Sequence, residues 1–150
     1  MTKQQTIDNA LSFFNEGYAC SQAVLLAFSN RYGVDERVAK LISSTFGGGM
    51  GRLRQKCGAV TGGFMVLGLQ FGNDNPKDMD TKVHSYKKVR ELNMQVENIY
   101  GTSNCVELLQ KYANEDQVSE RQHHKIICSR VVSEVTGLVW EMIENENNRL

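Results

Sequence analysis

The chain has 150 residues, of which 41% are hydrophobic and 23% charged. These values are typical of one folded, soluble domain over residues 1–150, and they exclude a disordered or low-complexity chain. Seventeen Lys and Arg balance seventeen Asp and Glu. Because this leaves no overall positive charge, we expect no nucleic-acid partner.

The first residues and the apolar stretches of the chain bear on export and on membrane insertion. Met1 to Gln5 is polar, and no signal-peptide pattern follows it. The longest apolar stretch, 57–69, is shorter than the roughly 20 residues of a membrane-spanning helix. We therefore expect no membrane insertion and a cytoplasmic location, where permanent disulfides are rare.

Apolar residues recur at three- and four-residue spacing, and Pro76 is the single proline. This periodicity predicts an all-α, single-domain bundle of about six to seven helices. The first helix ends near Gly17 and the second near Gly33. The third starts after Asp35 and ends at Gly47, and the fourth covers 57–71. The fifth covers about 77–100, the sixth covers 105–112, and the last runs from about Val118 or His124 to Ile143.

The same periodicity predicts which side chains form the core. The expected core residues are Phe14, Leu25, Phe28, Leu41, Val66, Val89, Leu109, Val131, Val135 and Leu138. In the fifth helix the apolar side is expected to carry Val83, Tyr86, Val89, Val96 and Ile99.

The fourth helix contains four glycines, each of which costs about 1 kcal/mol relative to alanine in a helix interior. Gly58 and Gly62 are one turn apart on the same face. They allow either tight packing against another helix or the approach of a cofactor or substrate beside Cys57.

The four cysteines, Cys20, Cys57, Cys105 and Cys128, carry the main chemical signal. No Cys-x-x-Cys occurs, which removes the zinc-ribbon and thioredoxin interpretations. Three of the four lie at predicted helix starts, where free amides and the helix dipole stabilise a thiolate. Cys128 lies within the last helix.

The segment Cys57-Gly58-Ala59-Val60-Thr61-Gly62 matches the CGAxxG signature of the redox-active proteins named for their C_GCAxxG_C_C cysteine pattern. The chain has one cysteine before this segment and two after it. Cys20-Ser21-Gln22-Ala23-Val24, the glycine-rich stretch from Phe46 to Arg52, and Cys105-Val106-Glu107-Leu108-Leu109 are also similar to that family. The resemblance, over roughly Gly17 to Val132, implies that the four cysteines act as one redox group.

The stretch Gly47 to Gly51 fits neither the P-loop nor the Rossmann fingerprint. It is either a connector or a set of backbone amides lining the cysteine site. In the second interpretation Gly48, Gly49 and Gly58 line a cofactor site, and Arg52 contacts an anion. His123 and His124 are expected to be exposed helix residues, with a Cys–His metal set as the minority interpretation.

Three functions remain open. The first is thiol/disulfide electron transfer by the four cysteines, as in a thiol-dependent oxidoreductase with an unnamed redox partner or small-molecule substrate. In the second, the same cysteines are metal ligands, for an iron–sulfur cluster rather than zinc. The third is a non-catalytic helical binding or oligomerising protein, and a homo-oligomer is left open.

Among the thiols, Cys57 is predicted to react first, because it begins a helix and Arg52, Arg54 and Lys56 are nearby in sequence. Cys128 is predicted to be the weakest attacker and to act as a resolving residue, a ligand or part of the core.

Overall fold

The computed structural model describes residues 1–111 and 120–148. Within these ranges the chain forms seven α-helices, and the one β-pairing there is an isolated bridge between Lys56 and Asn104. The helices are α1 (Lys3–Glu16), α2 (Cys20–Ser29), α3 (Glu36–Ser44), α4 (Gly58–Phe71), α5 (Met79–Tyr100), α6 (Cys105–Lys111) and α7 (Glu120–Asn148). The predicted all-α class is confirmed, while Tyr112 and Val118 lie outside the described residues.

Local capping explains why several helices begin and end where the sequence predicts. The Asp35 carboxylate accepts a hydrogen bond from the Val38 amide at 3.0 Å, so α3 starts at Glu36. Gly17 ends α1 with φ of 110°, a left-handed conformation that glycine adopts without strain. The last helix continues to Asn148, beyond the Ile143 that the apolar pattern indicated.

Helices α2 and α4 lie at the centre of the core, and α1, α5 and α7 pack around them. Six predicted core residues are buried: Leu25, Phe28, Val66, Leu109, Val131 and Val135. Phe14 and Leu138 are partly buried against this core, and Val89 is half-buried.

Helix α3 is oriented differently from the prediction. Leu41 is 55% exposed, so its assignment to the core is wrong. The buried residues of α3 are Ala39 and Ser43. Ser43 tolerates burial because its hydroxyl donates a 2.6 Å hydrogen bond to the Ala39 carbonyl, and its own carbonyl accepts a 2.7 Å hydrogen bond from the Ser21 hydroxyl on α2.

The buried side of α5 agrees with the prediction only in part, since Val96 is buried as expected and Val89 is half-buried. Val83, Tyr86 and Ile99 are exposed, whereas Lys88, Leu92 and Val96 are buried. Lys88 tolerates burial because its ammonium lies 3.2 Å from the Glu146 carboxylate on α7 and over the ring of Phe71. Because lysine is polar, a search for apolar residues at helical spacing does not identify a buried face that contains Lys88.

The glycines of α4 allow α2 and α5 to approach closely. A Cβ added at Gly62 would lie 2.7 Å from the Ser21 carbonyl oxygen, and one added at Gly63 would lie 2.8 Å from Leu92. Both values are far below normal contact distances, so the structure supports the tight-packing interpretation at these positions.

In the described ranges, no helix combines the length and the apolar character needed to cross a membrane.

Candidate functional site

All four cysteine side chains line one small cavity of about 50 Å³. Cys20 is the first residue of α2, Cys57 is the N-cap of α4, Cys105 is the first residue of α6, and Cys128 lies within α7. The predicted placement of three cysteines at helix starts is confirmed. The four are free thiols, and three of them are buried while Cys128 is partly exposed.

Two short segments hold Cys57 and Cys105 together. The Cys57 amide donates a 2.9 Å hydrogen bond to the Ser103 carbonyl, and the Cys105 amide donates one to the Gln55 carbonyl. The Lys56 ammonium extends this pairing, since it donates to the Ser103 hydroxyl at 2.6 Å and to Asn93 at 2.7 Å. The starts of α4 and α6 are therefore fixed to one another beside the cavity.

The stretch 47–54, which we call the glycine loop, closes against the cysteines. Positive φ angles occur at Gly48, Gly49, Met50, Gly51, Arg52 and Arg54. A Cβ built on Gly49 would lie 2.6 Å from the Cys105 Cβ and 2.7 Å from the Gln55 amide nitrogen. The loop can lie this close to Cys105 only because glycine occupies that position. Gly48 itself lines the cavity.

Gly58 lies beside Cys20 rather than leaving an open flank for Cys57. A Cβ at this position would be 3.1 Å from the Cys20 Sγ and 3.0 Å from the Phe46 carbonyl oxygen. The bare backbone at the start of α4 therefore makes room for the sulfur of α2.

Cys20 is the acidic thiol of the group. Its pKa falls from 9.0 to about 7, chiefly because the Cys128 thiol donates a hydrogen bond to its sulfur. Burial acts in the opposite direction, while the amides of Gly48, Cys20 and Ser21 also lower this pKa. Ala19, at the N-cap of α2, has no side-chain acceptor, so these first-turn amides remain available to the sulfur.

Cys57 and Cys128 are shifted the other way. Burial, followed by the nearby charge of Cys20, raises the pKa of Cys57 to about 12. The pKa of Cys128 is also raised well above its ordinary value, first by its hydrogen bond to Cys20 and then by burial. The structure therefore contradicts the expectation that Cys57 is the most readily ionised thiol.

The nearby cations do not gather around Cys57 as the sequence indicated. The Arg54 guanidinium lies 3.7 Å from the Cys105 sulfur, and Lys56 is engaged by Ser103 and Asn93. Arg52 is exposed. Sequence analysis missed the contact between Arg54 and Cys105, because nothing in the sequence indicated that the left-handed loop would turn Arg54 toward α6.

The remaining cavity lining is apolar and comes from α6 and α7. Leu108, Leu109, Ile127 and Val131 contribute this part of the wall. The four-residue steps of Ile127 and Val131 in the sequence predicted an apolar face on the last helix, and Cys128 lies next to it. These side chains limit the water around the thiols and so favour their neutral forms.

The side chains that the structure describes include all four cysteines. In that part of the chain, no group of three or more His, Cys, Asp or Glu side chains is arranged to hold a metal ion. His124 is half-buried on α7, and the His123 side chain lies outside the described part.

An all-helical domain with four thiols around one cavity defines a candidate thiol site. Residues 18–142 match the family described as "Putative redox-active protein (C_GCAxxG_C_C)". The chain belongs to this family, as the CGAxxG resemblance indicated. No curated protein and no solved structure gives a significant match to the chain.

Proposed function

We propose that the protein carries out thiol/disulfide electron transfer, with Cys20 as the attacking thiolate and Cys128 as the resolving thiol. The observation that carries this proposal is that Cys20 and Cys128 line the same cavity and shift each other's pKa in opposite directions. Near pH 7 about half of the Cys20 side chains are thiolates, while Cys128 stays protonated. A pair of this kind is suited to ordered exchange.

In the first step the Cys20 thiolate attacks one sulfur of a disulfide substrate. The substrate S–S bond breaks, a Cys20–substrate mixed disulfide forms, and the leaving thiolate takes a proton from solvent. Cys20 no longer carries negative charge after this step. The main cause of the raised Cys128 pKa is then gone, so Cys128 can lose its proton when it is needed as a nucleophile.

In the second step Cys128 attacks the Cys20 sulfur of the mixed disulfide. The second half of the substrate leaves as a thiol, and a Cys20–Cys128 disulfide remains. Two protein thiols have then been oxidised and one substrate disulfide has been reduced to two thiols. The reverse sequence, with a dithiol as reductant, regenerates the protein.

Cys57 and Cys105 form a second dithiol in this proposal. Their backbones are held together through the Ser103 and Gln55 carbonyls, and both side chains line the same cavity as the first pair. Exchange between the two pairs would let the domain store a second disulfide. The raised pKa of Cys57 implies that this second oxidation is slower than the first.

Redox titration of the reduced protein tests the proposal. We expect the first disulfide, formed within the range of cellular couples from about −320 to −120 mV, to map to Cys20 and Cys128. Cys20→Ser and Cys128→Ser should abolish it, whereas Cys57→Ser should retain it. Four thiols that remain reduced throughout this range would exclude thiol exchange.

A second experiment tests metal binding by these cysteines. Protein prepared without oxygen is analysed for iron, sulfide and zinc, and its visible spectrum is recorded. We expect colourless protein with four titratable thiols. If the native protein contained stoichiometric iron and sulfide and the cysteine variants lost both, the function would be cluster binding and not thiol exchange.

A further inference from the structure

Cys20 lies between two cavities. On one side is the cysteine cavity described above, and on the other is an open groove of about 540 Å³ that also reaches Cys20. The groove runs between the end of α1, the start of α2 and the glycine loop. Its size is within the range of small-molecule sites in proteins.

The part of the groove nearest Cys20 is formed by backbone and very small side chains. Ala19, Gly47, Gly48 and Gly51 line it together with Cys20. Gly48 lines both this groove and the cysteine cavity, so the wall of the groove lies beside Cys20. A substrate sulfur could approach Cys20 here without displacing a large side chain.

The charge that lines the groove is positive. Arg52 is the charged residue among those lining it, and no Asp or Glu of the described chain contributes to the lining. Arg52 is exposed and forms none of the ion pairs found in the described residues. Its stem lies against Gly48, since a Cβ built there would be 2.9 Å from the Arg52 Cγ.

The geometry points to an anionic low-molecular-weight disulfide as the substrate of Cys20, bound in this groove with its carboxylates facing Arg52. This inference rests on the proposed function and adds the class of substrate. A guanidinium binds carboxylates through two parallel hydrogen bonds, which makes Arg52 suited to orient such a molecule. The chemistry is the first exchange step given above: the substrate S–S bond breaks, the Cys20–substrate bond forms, and one substrate thiol leaves with a proton from solvent.

Three disulfides of different charge test this inference: glutathione disulfide, which is anionic; hydroxyethyl disulfide, which is neutral; and cystamine, which is cationic. The rate constant for the mixed disulfide at Cys20 is measured for each by quenching and peptide mass analysis. Each rate constant is divided by that of a small free thiol with the same disulfide, which removes intrinsic reactivity. The variants are Arg52→Glu, Arg52→Lys and a control, Arg90→Glu, in which the same charge change is made on the exposed face of α5.

We expect the normalised preference for glutathione disulfide over cystamine to fall about tenfold in Arg52→Glu. Arg52→Lys should keep most of the preference, Arg90→Glu should keep all of it, and added salt should weaken it. Equal preferences in the native protein, Arg52→Glu and Arg90→Glu would overturn the groove assignment, while leaving thiol exchange intact. Absence of any Cys20 adduct with all three disulfides would instead overturn the proposed function itself.

Discussion

Cys20 and Cys128 line the same cavity, and the interaction between their thiols lowers the pKa of Cys20 and raises the pKa of Cys128. The two residues are far apart in sequence and meet because α2 and α7 both pack beside α4. The fold thus gives two chemically identical side chains pKa shifts of opposite direction.

Removing the donor should make Cys20 less acidic. In Cys128→Ala we expect the pKa of Cys20 to rise by about one to two units, because hydrogen bonds to charged groups contribute about 1.5–3 kcal/mol. The pH dependence of iodoacetamide alkylation at Cys20 measures this. Cys128→Ser retains a donor and should keep most of the lowered pKa. An unchanged Cys20 pKa in the alanine variant would show that the amides alone stabilise the thiolate.

The lowered pKa of Cys20 also predicts how stability depends on pH. In the unfolded chain this thiol has its ordinary pKa of 9.0, and in the folded protein its pKa is about 7. Its contribution is therefore fully present above pH 9 and is lost as the pH falls through 7. Between pH 7 and 9 this thiol should add about 2 kcal/mol to the free energy of urea unfolding of the reduced protein, and the raised pKa values of Cys57 and Cys128 oppose that gain.

Cys20→Ser is the control for this pH dependence. Relative to the native protein, the variant should lack the gain between pH 7 and 9. Parallel pH profiles for the two proteins would contradict the assignment of the low pKa to Cys20.

Two glycines of α4 provide a matched test of the packing between α2 and α4. Gly62→Ala should destabilise the protein by about 1–3 kcal/mol, because the new Cβ would meet the Ser21 backbone at 2.7 Å. Gly68→Ala should stabilise it by about 1 kcal/mol, since the position is helical and nothing lies within 4 Å. Thermal or urea unfolding measures both, and effects of equal sign would refute the packing explanation.

Two positions of the glycine loop separate backbone strain from contact with the site. Gly49 and Gly51 both have positive φ, so alanine is strained at either position. Only at Gly49 would the added Cβ reach Cys105, at 2.6 Å, whereas at Gly51 the nearest atom is 3.6 Å away. We expect Gly49→Ala to cost about 1–3 kcal/mol more than Gly51→Ala.

The Gly49→Ala variant should also change the alkylation rate of Cys105, with α-helix content preserved by circular dichroism. If Cys105 reacted equally in both variants, the glycine loop would be a connector and not part of the site.

The helices were predictable because their signals are local. Asp35 and Gly17 cap α3 and α1 through atoms a few residues away, and these ends fall where the sequence placed them. The buried sides of α3 and α5 were not predictable in the same way. Burial of Lys88 depends on Glu146 of α7, and burial of Ser43 depends on Ser21 of α2.

The site was predictable in its members but not in the order of their acidity. The predicted helix starts and the family resemblance both indicated that the four cysteines lie close together. Cys20 and Cys57 both lie at helix starts, so that position does not distinguish them. Burial raises the pKa of Cys57, whereas the Cys128 thiol and the Gly48 amide lower the pKa of Cys20. Those partners come from distant segments, so the sequence could not rank the two thiols.

The most direct test of this account is a pH titration of all four thiols in the reduced native protein, by brief alkylation and peptide mass analysis. We predict that Cys20 titrates first, with a midpoint near pH 7, and that Cys57 and Cys128 stay protonated well above pH 9. A midpoint for Cys57 or Cys128 below that of Cys20 would contradict the assignment of Cys20 as the attacking thiolate.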